Sequence, residues 1–340
     1  MTTALLALVF LGLAVGLLSA ADSPGAEISN GHIRVKMHLP DPKTGYYRGT
    51  RFDWSGVIYS LQYKGHEFYG QWFHKADPKV HDFVFEGPDI VTGSCSAVTG
   101  PVDEFHEVGW HEAKAGGTFV KIGIGALRKP DNGKYDKYTQ YEVVNPGKWT
   151  VERSRDSVSF IQELVDPSSG YGYIYRKTVR LAKDTAEMVL EHSLKNTGTR
   201  TIDTSVYNHN FLALDKQPSG PGFVTTLPFR IETPEPPNKS LAVVRGNQLV
   251  YLKTLKDRDV VAFPVHGFGD GSEDNAIRIE NAEAGAGFTA RGDRPLSEVY
   301  LWSIRTVISV EPFISVKIEP GSEFTWKITY NYYTLPAGAK

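Results

Sequence analysis

Apolar and polar residues alternate with a period of two through most of this chain, and helical spacing is scarce beyond the N-terminal apolar run. Met188, Leu190, His192 and Leu194 fall on one face of an extended segment, with Glu187, Glu191, Ser193 and Lys195 on the other. Asn196 to Thr199 then reads as a turn, and Thr201 to Val206 as the returning partner of a hairpin. Near the C-terminus Ile314, Val316 and Ile318 alternate with polar residues. "EPGSE" turns the chain, and Phe324, Trp326, Ile328 and Tyr330 alternate on the way back, which predicts a second hairpin. Further strands are expected at 33–37, 54–63, 119–126, 138–144, 149–154, 157–164, 171–181, 249–253, 259–264, 276–280 and 301–310. Short extended segments divided by turn signals predict an all-β protein built as a large antiparallel sandwich, not alternating βαβ units. The 33 glycines, 20 prolines and 12% aromatics fit that class.

The N-terminus changes the picture. Leu5 to Leu18 is apolar but short for a membrane span, and the small residues Ser19-Ala20-Ala21 follow it. This is the form of a secretory signal peptide cut after Ala21, with an uncleaved anchor as the alternative. The expectation is a signal over residues 1–21 and a single domain over 22–340, secreted or periplasmic, with no stable membrane insertion after cleavage. The 37 basic and 39 acidic residues are spread along the chain and give a net charge of −2, so no basic stripe marks a nucleic-acid partner. Cys95 is the only cysteine, so no internal disulfide is possible, and it reads as a small buried residue. "ETPEPPNKS" reads as a surface loop, and its Asn238-Lys239-Ser240 is a glycosylation sequon, meaningful in a eukaryotic secretory pathway.

Four stretches carry candidate chemistry. In "SVYNHNFLALD" an extended backbone puts Tyr207, His209 and Phe211 on one face and Asn208, Asn210 and Leu212 on the other. A titratable donor flanked by rings suits a sugar cleft, and an ordinary half-buried histidine is the other reading. In "ISVEPFISV" Glu311 shares a face with Arg305, Ser309 and Phe313, just before a proline. It is either a general base at a strand end or an exposed carboxylate paired with Arg305. "DEFHEVGWHEAK" holds His106, His111, Glu104, Glu107 and Glu112. Its two histidines are five apart, on opposite faces of a strand and off the i,i+4 spacing of a helical zinc pair, so a loop lining a cleft is expected, with no metal and no cofactor. In "YYRGTRFDWSG", Arg48, Arg51, Asp53 and Trp54 suit a polyhydroxylated or acidic ligand, or else a solvated turn with an Arg–Asp pair.

The run from Tyr207 to Leu214 resembles the aldose 1-epimerase (galactose mutarotase) signature, in which Asn-His is followed by an aromatic two residues on and a Leu five on. Asn208, His209, Phe211 and Leu214 match those places, while Leu212 and Ala213 replace the usual aromatic and Asn. Tyr175 to Ile202 is similar to the family's strand pair ending in an Asn-Thr-Gly-type turn, and Ile318 to Tyr333 resembles its closing hairpin, a Pro-Gly turn followed by a Thr-x-Tyr strand. The resemblance covers roughly residues 138–335. It implies a galactose mutarotase-like β-supersandwich of large antiparallel sheets acting on a sugar or oligosaccharide without a cofactor. It also implies His209 as the general acid at the ring oxygen and Glu311 as the general base at the anomeric hydroxyl. The family's His-Gly-Gly segment has no counterpart here, and His106 or His111 stands in for its second histidine. Arg51, Trp54, Asn208, Tyr207, Phe211 and Arg305 complete the expected substrate-binding set. The same scaffold carries polysaccharide lyases and non-catalytic sugar-binding domains, so both remain alternatives.

Overall fold

The computed structural model describes residues 23–233 and 237–336; the expected signal segment lies outside the described residues. Among the described residues no helix is long and apolar enough to cross a membrane. Two antiparallel sheets dominate. The ten-stranded sheet runs, in spatial order, Lys148–Arg153, Ser157–Asp166, Tyr171–Leu181, Glu187–Asn196, Glu323–Thr334, Ala286–Gly292, Ala276–Asn281, Phe223–Thr226, Gln248–Tyr251 and Ala242–Arg245. The five-stranded sheet runs Val261–Pro264, Glu298–Ile304, Val307–Ile318, Ile202–His209 and Val102–Phe105. Smaller sheets formed between residues 25 and 145 accompany them, and one of these holds a short parallel pair, Lys75–Ala76 with Asp89–Thr92.

The alternation predicted from residue 188 holds, since Met188, Leu190, His192 and Leu194 are all buried. Between the sheets, Tyr173, Tyr175, Leu194 and Trp326 from the larger pack with Phe105, Val206, Ile314 and Val316 from the smaller. Burial on this scale drives the stacking of the two layers, because each large apolar side chain contributes roughly 1.5–3 kcal/mol.

The two predicted hairpins are instead crossings between sheets. Glu187–Asn196 pairs with Glu323–Thr334 in the large sheet, and Ile202–His209 pairs with Val307–Ile318 in the small one. The partners are exchanged, and both turns pass from one layer to the other side by side. Asn196 locks the corner: its amide donates to the carbonyls of Arg200 and Ile318, both at 2.8 Å. Its backbone N–H donates to Ser322 O, and Gly321 N–H donates back to its carbonyl.

Other boundaries also differ from expectation. Residues 119–126 form a hairpin of Thr118–Lys121 with Gly125–Arg128, and 301–310 is divided between Glu298–Ile304 and Val307–Ile318. In the first, Gly123 adopts φ +79°, and a Cβ there would meet the Asp53 carboxylate at 2.4 Å, so the turn requires glycine. Within 138–144 only the end is strand, as part of Val143–Asn145. The strand Val102–Phe105, read from sequence as a cleft-lining loop, is fully buried in the small sheet beside Ile202–His209.

Candidate active site

Three strands of the small sheet set the site in rows. Tyr207 lies opposite Phe313, and Leu212 bridges Ile308, a register that brings His209 opposite Glu311. Glu311 is in turn opposite Tyr300, and Ser309 opposite Trp302. The two-residue repeat turns Tyr207, His209, Glu311 and Trp302 to one face, while Val206 and Asn208 point into the inter-sheet core. Loops of the N-terminal half cover that face and leave a narrow cleft of about 80 Å³ that is open to solvent.

His209 and Glu311 form its floor, with Nε2 of the histidine 3.1 Å from Oε1 of the glutamate. Phe211 takes φ +36°, uncommon for a residue with a side chain, and its ring lies flat on the imidazole with centroids 3.5 Å apart. Trp72 stacks behind it at 5.5 Å, and the edge of Trp302 approaches the imidazole at 5.7 Å. His209 Nδ1 is buried with no hydrogen-bond partner among the described residues.

Arg51 forms one wall. Its Nε donates to Glu104 Oε2 at 2.6 Å, one terminal nitrogen donates to the Tyr207 hydroxyl at 3.1 Å, and the other to Ser96 Oγ at 3.4 Å, with Asp82 3.7 Å away. The guanidinium lies over the rings of Phe52 and Tyr138, and the Tyr207 hydroxyl donates to Glu104. Burial alone would raise Glu104, but the charges of Arg51, Lys137 and Lys121 and the Tyr207 hydroxyl hold it down at about 2.

The floor behaves in the opposite way. Burial pushes Glu311 up to about 7; Glu104 and Asp82 add to the rise, and Arg51 and Lys137 only partly offset it. Burial, reinforced by Arg51 and Lys137, pushes His209 well below its ordinary value. Both groups are driven toward their neutral forms, so the pair holds one proton between them up to about neutral pH.

No protein-family profile and no curated protein matches the chain. Solved structures do. A galactose mutarotase related enzyme from Lactobacillus acidophilus matches with TM-score 0.51 and 14% identity, over 93% of this chain and 99% of the other. An aldose epimerase homologue from C. elegans matches with TM-score 0.51 and 11% identity, over 92% and 100%. A protein from Synechocystis sp. PCC 6803 gives 0.52 and 11%, over 92% and 97%. The fold is galactose mutarotase-like.

On this mutarotase-like scaffold the expected site residues divide. His209, Glu311, Arg51 and Phe211 line one cleft, with Tyr207 just behind Arg51. Glu311 is within a strand, not at its end, and does not pair with Arg305, whose guanidinium donates to the carbonyls of Pro88 and Asp257. Asn208 faces the core, where it donates to Asp103 at 3.0 Å and accepts from Tyr330 at 2.8 Å. Trp54 is buried with its indole N–H on Gly49 O, beside a separate groove. His106 shares a hydrogen bond with Ser205, and His111 lies in an open depression with Trp110 and Lys129; neither lines the cleft. The second-histidine assignment therefore does not fit: His106 is on the same face but displaced along the strand, beside Ser205 and Phe313, and His111 lies beyond the turn that follows. Asp53 pairs with Lys177 at 3.5 Å, not with an arginine of its own turn.

Trp72, Asp82, Phe83, Ser96, Tyr138, Tyr300 and Trp302 also line the cleft and were not singled out from sequence. Tyr300 and Trp302 had a usable signal, since they alternate on a strand beside Glu311. The loop residues Asp82 and Ser96 had none.

Proposed function

We propose that this protein is a sugar-active enzyme that interconverts the anomers of an aldose, with Glu311 and His209 as its acid–base pair. The observation that carries the reading is their direct contact at 3.1 Å on the floor of an aromatic-walled cleft. The hydroxyl oxygen and the ring oxygen of a hemiacetal sit on the same carbon, so two groups one hydrogen bond apart can serve both. One group takes the proton of the anomeric hydroxyl while the other gives its proton to the ring oxygen. The bond from C1 to the ring oxygen breaks and the aldehyde forms; rotation about the C1–C2 bond and closure by the reverse transfers give the other anomer. The pair holds one proton before and after. The resemblance assigns the acid to His209, whereas the burial of both groups favours the proton on Glu311.

A lyase reading is weaker here. Tyr207, a candidate base, is almost wholly buried, and its hydroxyl is engaged by Glu104 and Arg51. Export remains part of the proposal, resting on the first 21 residues alone.

Saturation-transfer NMR on free aldoses tests the proposal. Glu311→Gln and His209→Ala should each slow catalysed anomer exchange by roughly 10²–10⁴-fold. In the wild type, kcat/KM should fall as pH rises through about 7, where the pair loses its proton. Wild-type rates in both variants would rule the mechanism out.

A further inference from the structure

We infer that the groove floored by Tyr47, Trp54 and Tyr141, across one wall from the cleft, is a second sugar site that holds a neutral oligosaccharide without acting on it. The inference stands apart from the acid–base reading of Glu311 and His209.

Tyr46, Tyr47, Arg48, Gly49 and Trp54 of the "YYRGTRFDWSG" stretch line this groove, whereas Arg51 of the same stretch lines the cleft. The two share a partition. Ser94 faces the groove and Ser96 the cleft, with the buried Cys95 between them, and Gln140 and Tyr138 divide in the same way. Hydrogen bonds tie the three segments into one wall. Thr50 Oγ1 donates to Thr139 O at 3.0 Å, Gln140 Nε2 to Arg48 O at 3.1 Å, and the Tyr47 hydroxyl to Cys95 O at 2.8 Å. The groove measures about 550 Å³ against about 80 Å³ for the cleft. That is well inside the span of small-molecule sites, roughly 300–1,000 Å³.

Its floor is fixed and apolar. Tyr47, Trp54 and Tyr141 are nearly buried, and their polar groups are committed to Cys95 O, Gly49 O and Asp136 O. The rim is different. One face of Tyr46 stacks on His38 at 4.1 Å, with the planes 10° apart, and the ring makes no other ring contact among the described residues. Burial pushes His38 down to about 4, so it backs that ring without adding charge. The Tyr46 hydroxyl has no hydrogen bond among the described residues. Arg48 is exposed and donates from one terminal nitrogen to Lys43 O at 2.7 Å, which leaves its other N–H groups for a ligand. No Asp or Glu lines the groove. A sugar suits this combination, with C–H faces for the ring and hydroxyl oxygens for the donors. A cationic ligand would find no carboxylate, and a wholly apolar one would cover the rim donors without pairing them.

Titration calorimetry with maltotriose, cellotriose, mannotriose and xylotriose tests this, with decaproline as the comparison ligand. The wild type should bind at least one trisaccharide. Tyr46→Ala and Ala76→Arg should each raise its Kd by roughly tenfold or more, and Tyr46→Phe by only a few-fold. Ala76 is an exposed residue of the groove lining, so Ala76→Arg obstructs the groove without touching the core and decides the matter if Tyr46→Ala fails to fold. Glu311→Gln, which alters the cleft floor, should leave that Kd within about twofold. No binding, binding of decaproline alone, or binding lost in Glu311→Gln but kept in Ala76→Arg would overturn the inference. Anomer exchange is read separately: its absence in the wild type defeats the acid–base reading and leaves the groove to the calorimetry.

Discussion

Asp103 and Glu104 are neighbours on one buried strand, and their side chains enter two charge clusters of opposite character. Asp103 points between the sheets, where Lys177 reaches it at 2.7 Å, His192 at 3.1 Å and the Asn208 amide at 3.0 Å. Burial works against its charge, but the Lys177 ammonium and the His192 ring beside it overcome that and hold the carboxyl well below the usual range. Glu104 points to the cleft side of the sheet, buried behind Arg51, and is likewise satisfied, by Arg51 and Tyr207. One row further along the same cleft face, Glu311 has the imidazole as its hydrogen-bond partner and is pushed up to about 7. Equal burial thus gives opposite outcomes, decided by whether partners are supplied. Groups held in their charged form are structural, and groups held near neutrality within reach of a ligand are the ones poised to exchange protons.

The largest effect on stability should come from breaking the satisfied cluster. Lys177 is fully buried and also lies 3.5 Å from Asp53. Lys177→Met would leave two carboxylates in the interior without their cation, and should cost roughly 3–5 kcal/mol in chemical denaturation. A denaturation midpoint close to wild type would mean that this network is not what holds the sheets together there.

The Glu311–His209 pair should respond in the opposite sense. Glu311 titrates at about 7 in the folded protein against an ordinary 4.5. The stability of its protonated form is fully present below 4.5 and is lost as pH rises through 7. Glu311→Gln, which cannot ionise, should therefore be more stable than wild type at pH 8, by up to roughly 3 kcal/mol, and nearly equal to it at pH 4. Thermal melts at the two pH values check this, and a stabilisation independent of pH would refute the assignment. Lost activity with gained stability is the pattern expected of a strained functional site.

How far the sequence discloses these regions depends on the range of the signal. The alternation around His192 and the Asn-His-x-aromatic run were legible because they are local, and they led to the sandwich class and to His209. Partner choice was not local. Asn196 to Thr199 and "EPGSE" carry ordinary turn chemistry, and nothing in either string says that the chain leaves one sheet for another. The strand Val102–Phe105 escaped notice because its two central residues are carboxylates, neutralised by Lys177 and Arg51 from distant parts of the chain. Lys137 is one lysine among many until the fold brings it over Tyr207.

The sheet-crossing corner gives the smallest of these effects and calibrates the comparison with a buried group that is polar but uncharged. Asn196 is fully buried and satisfied: its amide donates to two carbonyls, and its side-chain oxygen accepts from Gly198 N–H at 3.0 Å. Asn196→Ala leaves those groups without their partner and should cost about 2 kcal/mol, less than removal of the buried cation. Asn196→Asp separates the two halves of the interaction. It retains an acceptor for Gly198 but sets a carboxylate against the Arg200 and Ile318 carbonyls. If donation to those carbonyls fastens the corner, Asp should be worse than Ala in urea titrations, and the loss should recover as acid protonates it. If Asp is tolerated better than Ala, the corner is held by the Gly198 turn alone, and the passage of both strand pairs between sheets depends on the apolar packing on either side.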